Sequence, residues 1–194
     1  MYLPTVACQL DAVNVSGLTT GIYLFTIARW TVSGSTDTER LEYLAKRLDD
    51  DIEIDNDLAE KLVNSAGLNG TDWLGANRSI DREAAASLLD DCLFDLDTRY
   101  ESYVNAQRRE NDDRINLMII SLRQHLHHQT VKIQNRIDQR RFNGTDKQKR
   151  MIPADEGRIK KVKLNIEKRI EELELKKSLT AQEHHVSSGV IRVN

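Results

Sequence analysis

A chain of 194 residues, 39% apolar and 30% charged, can bury one real core or a small core with an extension, and general disorder is excluded. No apolar run approaches the ~20 residues of a membrane span. MYLPTVACQL lacks the basic start and unbroken apolar stretch of an export signal, so no membrane association and a cytoplasmic location are expected.

The net charge of −3 conceals an asymmetry. Residues 1–99 hold 8 basic and 18 acidic side chains, whereas residues 100–194 hold 20 basic and 13 acidic. Such polarity points to an electrostatic partner and says nothing about fold. Cys8 and Cys92 are too few for a disulfide framework and are not spaced as a metal cluster, so two reduced thiols are expected.

TVACQLDAVNV and GIYLFTIARWTV are rich in β-branched and aromatic residues, and SGLTTG between them has turn chemistry, which predicts a β-hairpin. The second run is apolar on both faces and should be covered on both sides. GSTDTERLEYLAKRLDD predicts a helix, with Thr36 and Glu39 as a capping box and a Leu41, Leu44, Leu48 stripe. DLAEKLVNSAG predicts a second, with Asp57 and Glu60 at its start and Gly67 as C-cap. LNGTDWLGANRS reads as a loop whose Trp73 and Leu74 plug the small core.

From Asp81 the pattern is continuous helix. Leu89, Leu93, Leu96, Tyr100 and Tyr103 step by 4 and 3, as in a coiled-coil seam, and QRRENDDR at 107–114 interrupts that seam. A second seam runs through Ile115, Ile119, Leu122, Leu126, Ile133 and Ile137, and a return helix shows Ile159, Val162, Ile166, Ile170 and Leu173. Arms over 115–141 and 155–179 would each extend ~40 Å. Matched arms joined by a short loop predict an antiparallel hairpin. The closing GVIRV reads as a strand that pairs with the N-terminal hairpin, since a lone strand is marginal in water.

The expected fold is therefore α+β and mostly α: a small antiparallel sheet with packed helices and a long antiparallel helical hairpin, a coiled-coil arm. Residues 1–80 would form an α/β base, 81–180 the arm with a basic tip near 136–153, and 181–194 a strand returning to the base.

Chemistry-bearing motifs are few. No Gly-rich loop leads to Gly-Lys-Ser/Thr, so ATP hydrolysis is not expected. An EF-hand starting at Asp51 would need Gly and Glu where Asn56 and Leu62 stand. The acidic run suits helix dipoles better. His125 and His128 share a helical face but have no second pair nearby, and His184 and His185 lie far along the chain. They read as solvated histidines rather than zinc ligands. No catalytic residue, metal or cofactor is expected.

RIDQRRFNGTDKQKRMIP stands out. Arg136, Arg140, Arg141, Lys147, Lys149, Arg150, Arg158, Lys160 and Lys161, with Lys163 beside them, cluster where the hairpin turns. Asn143-Gly144 supplies the turn, and Phe142 either stacks on a partner or caps the seam. Residues 123–163 hold 12 basic and 4 acidic side chains. Helix surfaces are usually charged, so a solvated bend is the plain alternative. An excess of this size attracts a phosphate backbone, and without a base-reading motif the binding should be non-specific. The first nine basic residues are the candidate nucleic-acid contacts.

TGIYLFTIARWTVSGSTDTERLEYLAKRL and LAEKLVNSAG resemble the accessory region behind the motor of bacterial Swi/Snf-type helicase-like proteins of the RNA-polymerase-associated type. In such regions a strand with aromatics and a glycine precedes paired helices, a long helical hairpin and a closing strand. The resemblance spans most of the chain. It implies an accessory C-terminal module of a longer protein, with double-stranded DNA and protein partners; the family's ATPase and translocase motifs are missing from this sequence. The expected function is a non-catalytic module that binds nucleic acid through its basic tip and works with a protein partner or motor domain. The alternative is a protein-binding scaffold, or dimerisation through the Leu89–Tyr103 seam.

Overall fold

The computed structural model describes residues 5–14 and 17–194. Val15 at the expected end of the first strand, Ser16 of the expected turn and residues 1–4 of the expected base lie outside them. The described chain is α+β with a long helical arm. In order it forms β1 (Thr5–Leu10), β2 (Gly21–Ser33), β3 (Thr38–Arg47), α1 (Asn56–Asn69), β4 (Thr71–Asp72), α2 (Ala76–Ser79), α3 (Arg82–Asn143), α4 (Asp146–Lys149), α5 (Ile152–Leu175) and β5 (Thr180–Val193). Two compact units emerge. One comprises Met1–Val32, Thr38–Asn105 and Ala181–Asn194; the other Ser33–Asp37 and Ala106–Thr180. Residues 82–105 of α3 thus group with the sheet.

The five strands run in the order β3-β2-β5-β1-β4. β1 and β2 do not form the expected hairpin, because β5 lies between them. The sheet is mixed rather than antiparallel: β5 pairs with β1 in parallel, from Thr5 opposite Ser188 to Leu10 opposite Val193. The expected pairing of the closing strand with the N-terminal region holds, but in the middle of the sheet. A run apolar on both faces is what a doubly covered strand requires, and Val190, Ile191 and Val193 are all buried. Gly189 permits the close approach, since a Cβ there would stand 2.2 Å from the Val6 carbonyl oxygen and 2.9 Å from the Phe25 ring.

The segment expected as a capped helix at 36–50 is strand β3, antiparallel to β2 from Tyr23 opposite Arg47 to Val32 opposite Thr38. Its leucine spacing suits a helix, but the 13-residue β2 offers a ladder of backbone partners that overrides local propensity. Thr36 caps nothing there; it lies in the β2–β3 connection, where its hydroxyl accepts from Arg114. The alternating charges of β3 suit an edge strand, which must not invite further pairing.

α1 begins at the Asp55 cap, whose carboxylate accepts from the Asp57 backbone N–H at 2.9 Å. It runs past Gly67 and ends at Gly70, where a Cβ would meet the Ala66 carbonyl oxygen at 2.3 Å. The expected loop beyond contains β4 and α2. Trp73 enters the core as expected, but Leu74 is 95% exposed.

Both faces of the sheet are covered. On one, Ala59 and Leu62 of α1 pack on Tyr23, Phe25, Ala45 and Ile191. On the other, Leu88, Cys92 and Leu96 of α3 pack on Leu24, Ala28, Trp30 and Val190. The first α3 stripe is therefore a helix-on-sheet contact at steps of 4, not a coiled-coil seam. Leu89, Tyr100 and Tyr103 line its margin, and the Trp30 ring lies 5.7 Å from that of Tyr100 and 5.4 Å from that of Tyr103.

In the second unit α3 and α5 form the antiparallel hairpin. Ile115, Ile119, Ile137 and Ile166 are buried along its seam, while Leu126 and Ile170 are half-buried. The polar 107–114 stretch does not break α3, which is 62 residues long. Asn111 within it is buried: its amide donates to the Lys176 carbonyl at 3.0 Å, and its side-chain oxygen accepts from the Ser35 N–H at 2.9 Å. α5 starts at Ile152, three residues earlier than expected, with Pro153 in the first turn where no N–H is needed. Among the described residues, no helix is long and apolar enough to cross a membrane.

Candidate functional site

The basic region is built around one buried acid. Asp155, in the first turn of α5, is 2% exposed. Arg136 and Arg140 stand four apart on α3 and so share a face. Arg140 donates to one Asp155 oxygen, while the Arg136 and Arg158 guanidinium nitrogens each lie 3.9 Å from the other. A buried carboxylate requires such partners, and the N-terminus of α5 also favours negative charge at that position.

The nine candidate contacts consequently divide. Arg140, with a side chain 24% exposed, ties α3 to α5. Arg136 and Arg158 are drawn toward Asp155 from a distance too long for a hydrogen bond. Arg141 lies 4.0 Å from Glu156, with both side chains over half exposed, a pairing of little strength. Lys147, Lys149, Arg150, Lys160 and Lys161 are exposed and make no ion pair among the described residues. Neighbouring Lys163 faces Glu167 at 3.8 Å.

The turn itself is local chemistry. Gly144 closes α3 by donating to the Arg140 carbonyl at 3.1 Å, and a Cβ there would stand 2.3 Å from that oxygen. Thr145 and Gln148 then form a capping box that starts α4. Phe142 is 80% exposed, so it does not cap the seam.

Beside the turn, α3 and α5 line an open groove of about 650 Å³. His125, His128, Lys132 and Arg136 line the α3 side, Arg158 and Lys161 the α5 side, with Ile133 and Val162 among the apolar lining. Lys132 and the two histidines were not among the nine candidates. Their 3- and 4-residue spacing to Arg136 was the available signal. A second recess of about 400 Å³ includes Arg136, Arg140 and Gln148.

Several other titratable side chains have local structural partners. Among the described residues, no group of three or more His, Cys, Asp or Glu is arranged to hold a metal ion. In the acidic run, Asp55 caps α1, Asp50 pairs with Arg47, and Glu53 with Arg99. Burial pushes the Cys92 thiol up to about 12 and raises that of Cys8, the opposite of what a thiolate nucleophile needs. In the sheet unit, Glu183 accepts from the Trp30 indole N–H at 2.7 Å, and burial holds its carboxyl above the usual range. His185 lies 2.8 Å from the Thr26 hydroxyl, and burial lowers its imidazole. Comparisons of the chain with protein-family models, with curated proteins and with solved structures found no match.

Proposed function

We propose that this chain is a non-catalytic interaction module of a nucleic-acid-processing protein, binding nucleic acid without sequence preference through the basic end of its helical hairpin. The observation that carries the reading is the set of exposed, unpaired cations beside the turn, on a segment with 12 basic and 4 acidic residues. Cations left without internal partners attract phosphates strongly and release counterions on binding. The chain performs no catalytic step of its own in this reading, and any ATPase belongs to a motor elsewhere in the native protein. The resemblance to the accessory region of Swi/Snf-type helicase-like proteins agrees with that division and with work in the cytoplasm beside a protein partner.

Titration of the chain with labelled DNA and RNA of several sequences at low ionic strength tests it. The expected result is similar affinity for all sequences, with log K falling linearly against log salt. If salt-sensitive binding is absent, the protein-scaffold reading takes its place. That second reading draws on Leu117 and Ile120, exposed three residues apart on α3.

A further inference from the structure

We propose that the groove between α3 and α5 is a binding site for single-stranded nucleic acid. Its phosphates would meet Lys132, Arg136, Arg158 and Lys161, and its bases would stack on His125, His128 or the guanidinium planes. This rests on the reading of the hairpin as a nucleic-acid interface and narrows it to one strand type and one place.

The groove is open to solvent, and its volume of about 650 Å³ falls within the size range of ligand sites. On α3, positions 125, 128, 132 and 136 recur at helical spacing and form one row, with Lys132 and Arg136 about 6 Å apart along the axis. On α5, Arg158 and Lys161 form the opposing pair, three residues apart. No acidic side chain lines the groove. Asp155 sits buried outside it and attracts Arg136 and Arg158 from 3.9 Å, so it helps to position both guanidinium groups without hydrogen-bonding either. Their donors remain available to a ligand. Lys132 and Lys161 are exposed and make no ion pair among the described residues.

Shape selects the strand type. Axes of packed helices lie about 8–10 Å apart. A duplex keeps its bases paired inside and its phosphates outside, so it offers the groove phosphates but no free base faces. A single strand is thin and offers unstacked base faces together with phosphates. Sites for single strands combine a cationic groove with planar side chains, and both histidine and arginine serve as stacking planes. The apolar Ile133 and Val162 suit a base or sugar face and would not suit a phosphate.

The test is fluorescence anisotropy on the full chain, with a labelled oligothymidylate and a duplex of equal phosphate count at low salt. The single strand should bind several-fold more tightly. Lys132→Gln/Lys161→Gln should weaken single-strand binding roughly tenfold and reduce the log K–log salt slope by about 1.4, with the duplex less affected. His125→Ala/His128→Ala should cost the single strand about fivefold. Circular dichroism should be unchanged in both variants, whose substituted side chains are exposed. Equal affinity for the two ligands, or parental single-strand binding by the lysine variant, overturns the groove assignment and leaves the proposed function standing. If the parent shows no salt-sensitive binding to either ligand, both readings fall.

Discussion

The sheet unit and the helical hairpin treat charge in opposite ways. In the acid-rich sheet unit, several basic side chains are held by acids: Arg40 lies 2.7 Å from the buried Glu42, Lys46 pairs with Asp95, and Arg99 with Glu53. In the hairpin one acid, Asp155, is buried among arginines while lysines on the same segment stand unpaired. Removing one partner of a buried pair leaves an uncompensated charge and is costly, whereas exposed unpaired cations contribute little to stability and are available to a partner. The comparison teaches that one basic cluster contains both kinds, and that counting charges along the chain cannot separate them.

The largest expected effect breaks the sheet unit. Deleting 187–194 removes the half of β5 that pairs with β1, together with the buried Val190, Ile191 and Val193. The cooperative unfolding transition of that unit should disappear in calorimetry. A melt lowered by only a few degrees would mean that β5 is dispensable.

Next comes the hairpin's internal pair. Arg140→Ala leaves Asp155 buried with guanidinium groups only at 3.9 Å, and should destabilise the hairpin by about 3 kcal/mol in denaturant titrations. Lys147→Ala should change stability by less than about 0.5 kcal/mol. Equal effects would erase the distinction between structural and available cations.

Gly189→Ala should cost about 2 kcal/mol by overpacking against Val6 and Phe25, seen as a melting temperature lower by roughly 4–8 °C. A neutral outcome would show that β1 and β5 can part at that point.

A smaller effect concerns Glu183. Its folded carboxyl titrates above the usual range, chiefly through burial, so its contribution is fully present below the unfolded value and is lost as pH rises through the folded one. Glu183→Gln keeps an acceptor for Trp30. The variant should therefore gain stability relative to the parent between acidic and neutral pH. A parent that gains relative to the variant over that window would reverse the sign.

The smallest effect on folding sharpens the comparison from the other side. Lys147→Gln/Lys149→Gln/Arg150→Gln should leave the melting curve nearly unchanged, because these side chains are exposed. A clear loss of stability would mean that the turn's cations are structural as well.

By itself the sequence determined the hairpin. Ile115 and Ile119 on one arm and Ile159, Val162 and Ile166 on the other repeat at helical spacing, Gly144 ends the first arm, and Pro153 opens the second, all through neighbours a few residues away. It also marked the basic segment, since charge is additive along a chain. Only the tertiary structure decided that 38–47 is a strand, because its backbone partners lie on β2 rather than within one helical turn. The same holds for β5, whose place between β1 and β2 depends on pairing with residues nearly the whole chain away. Within the candidate site, folding brings Asp155 to Arg136 and Arg140 across the turn. Which cations are held and which are free is thus a consequence of distance in space, which linear spacing does not contain.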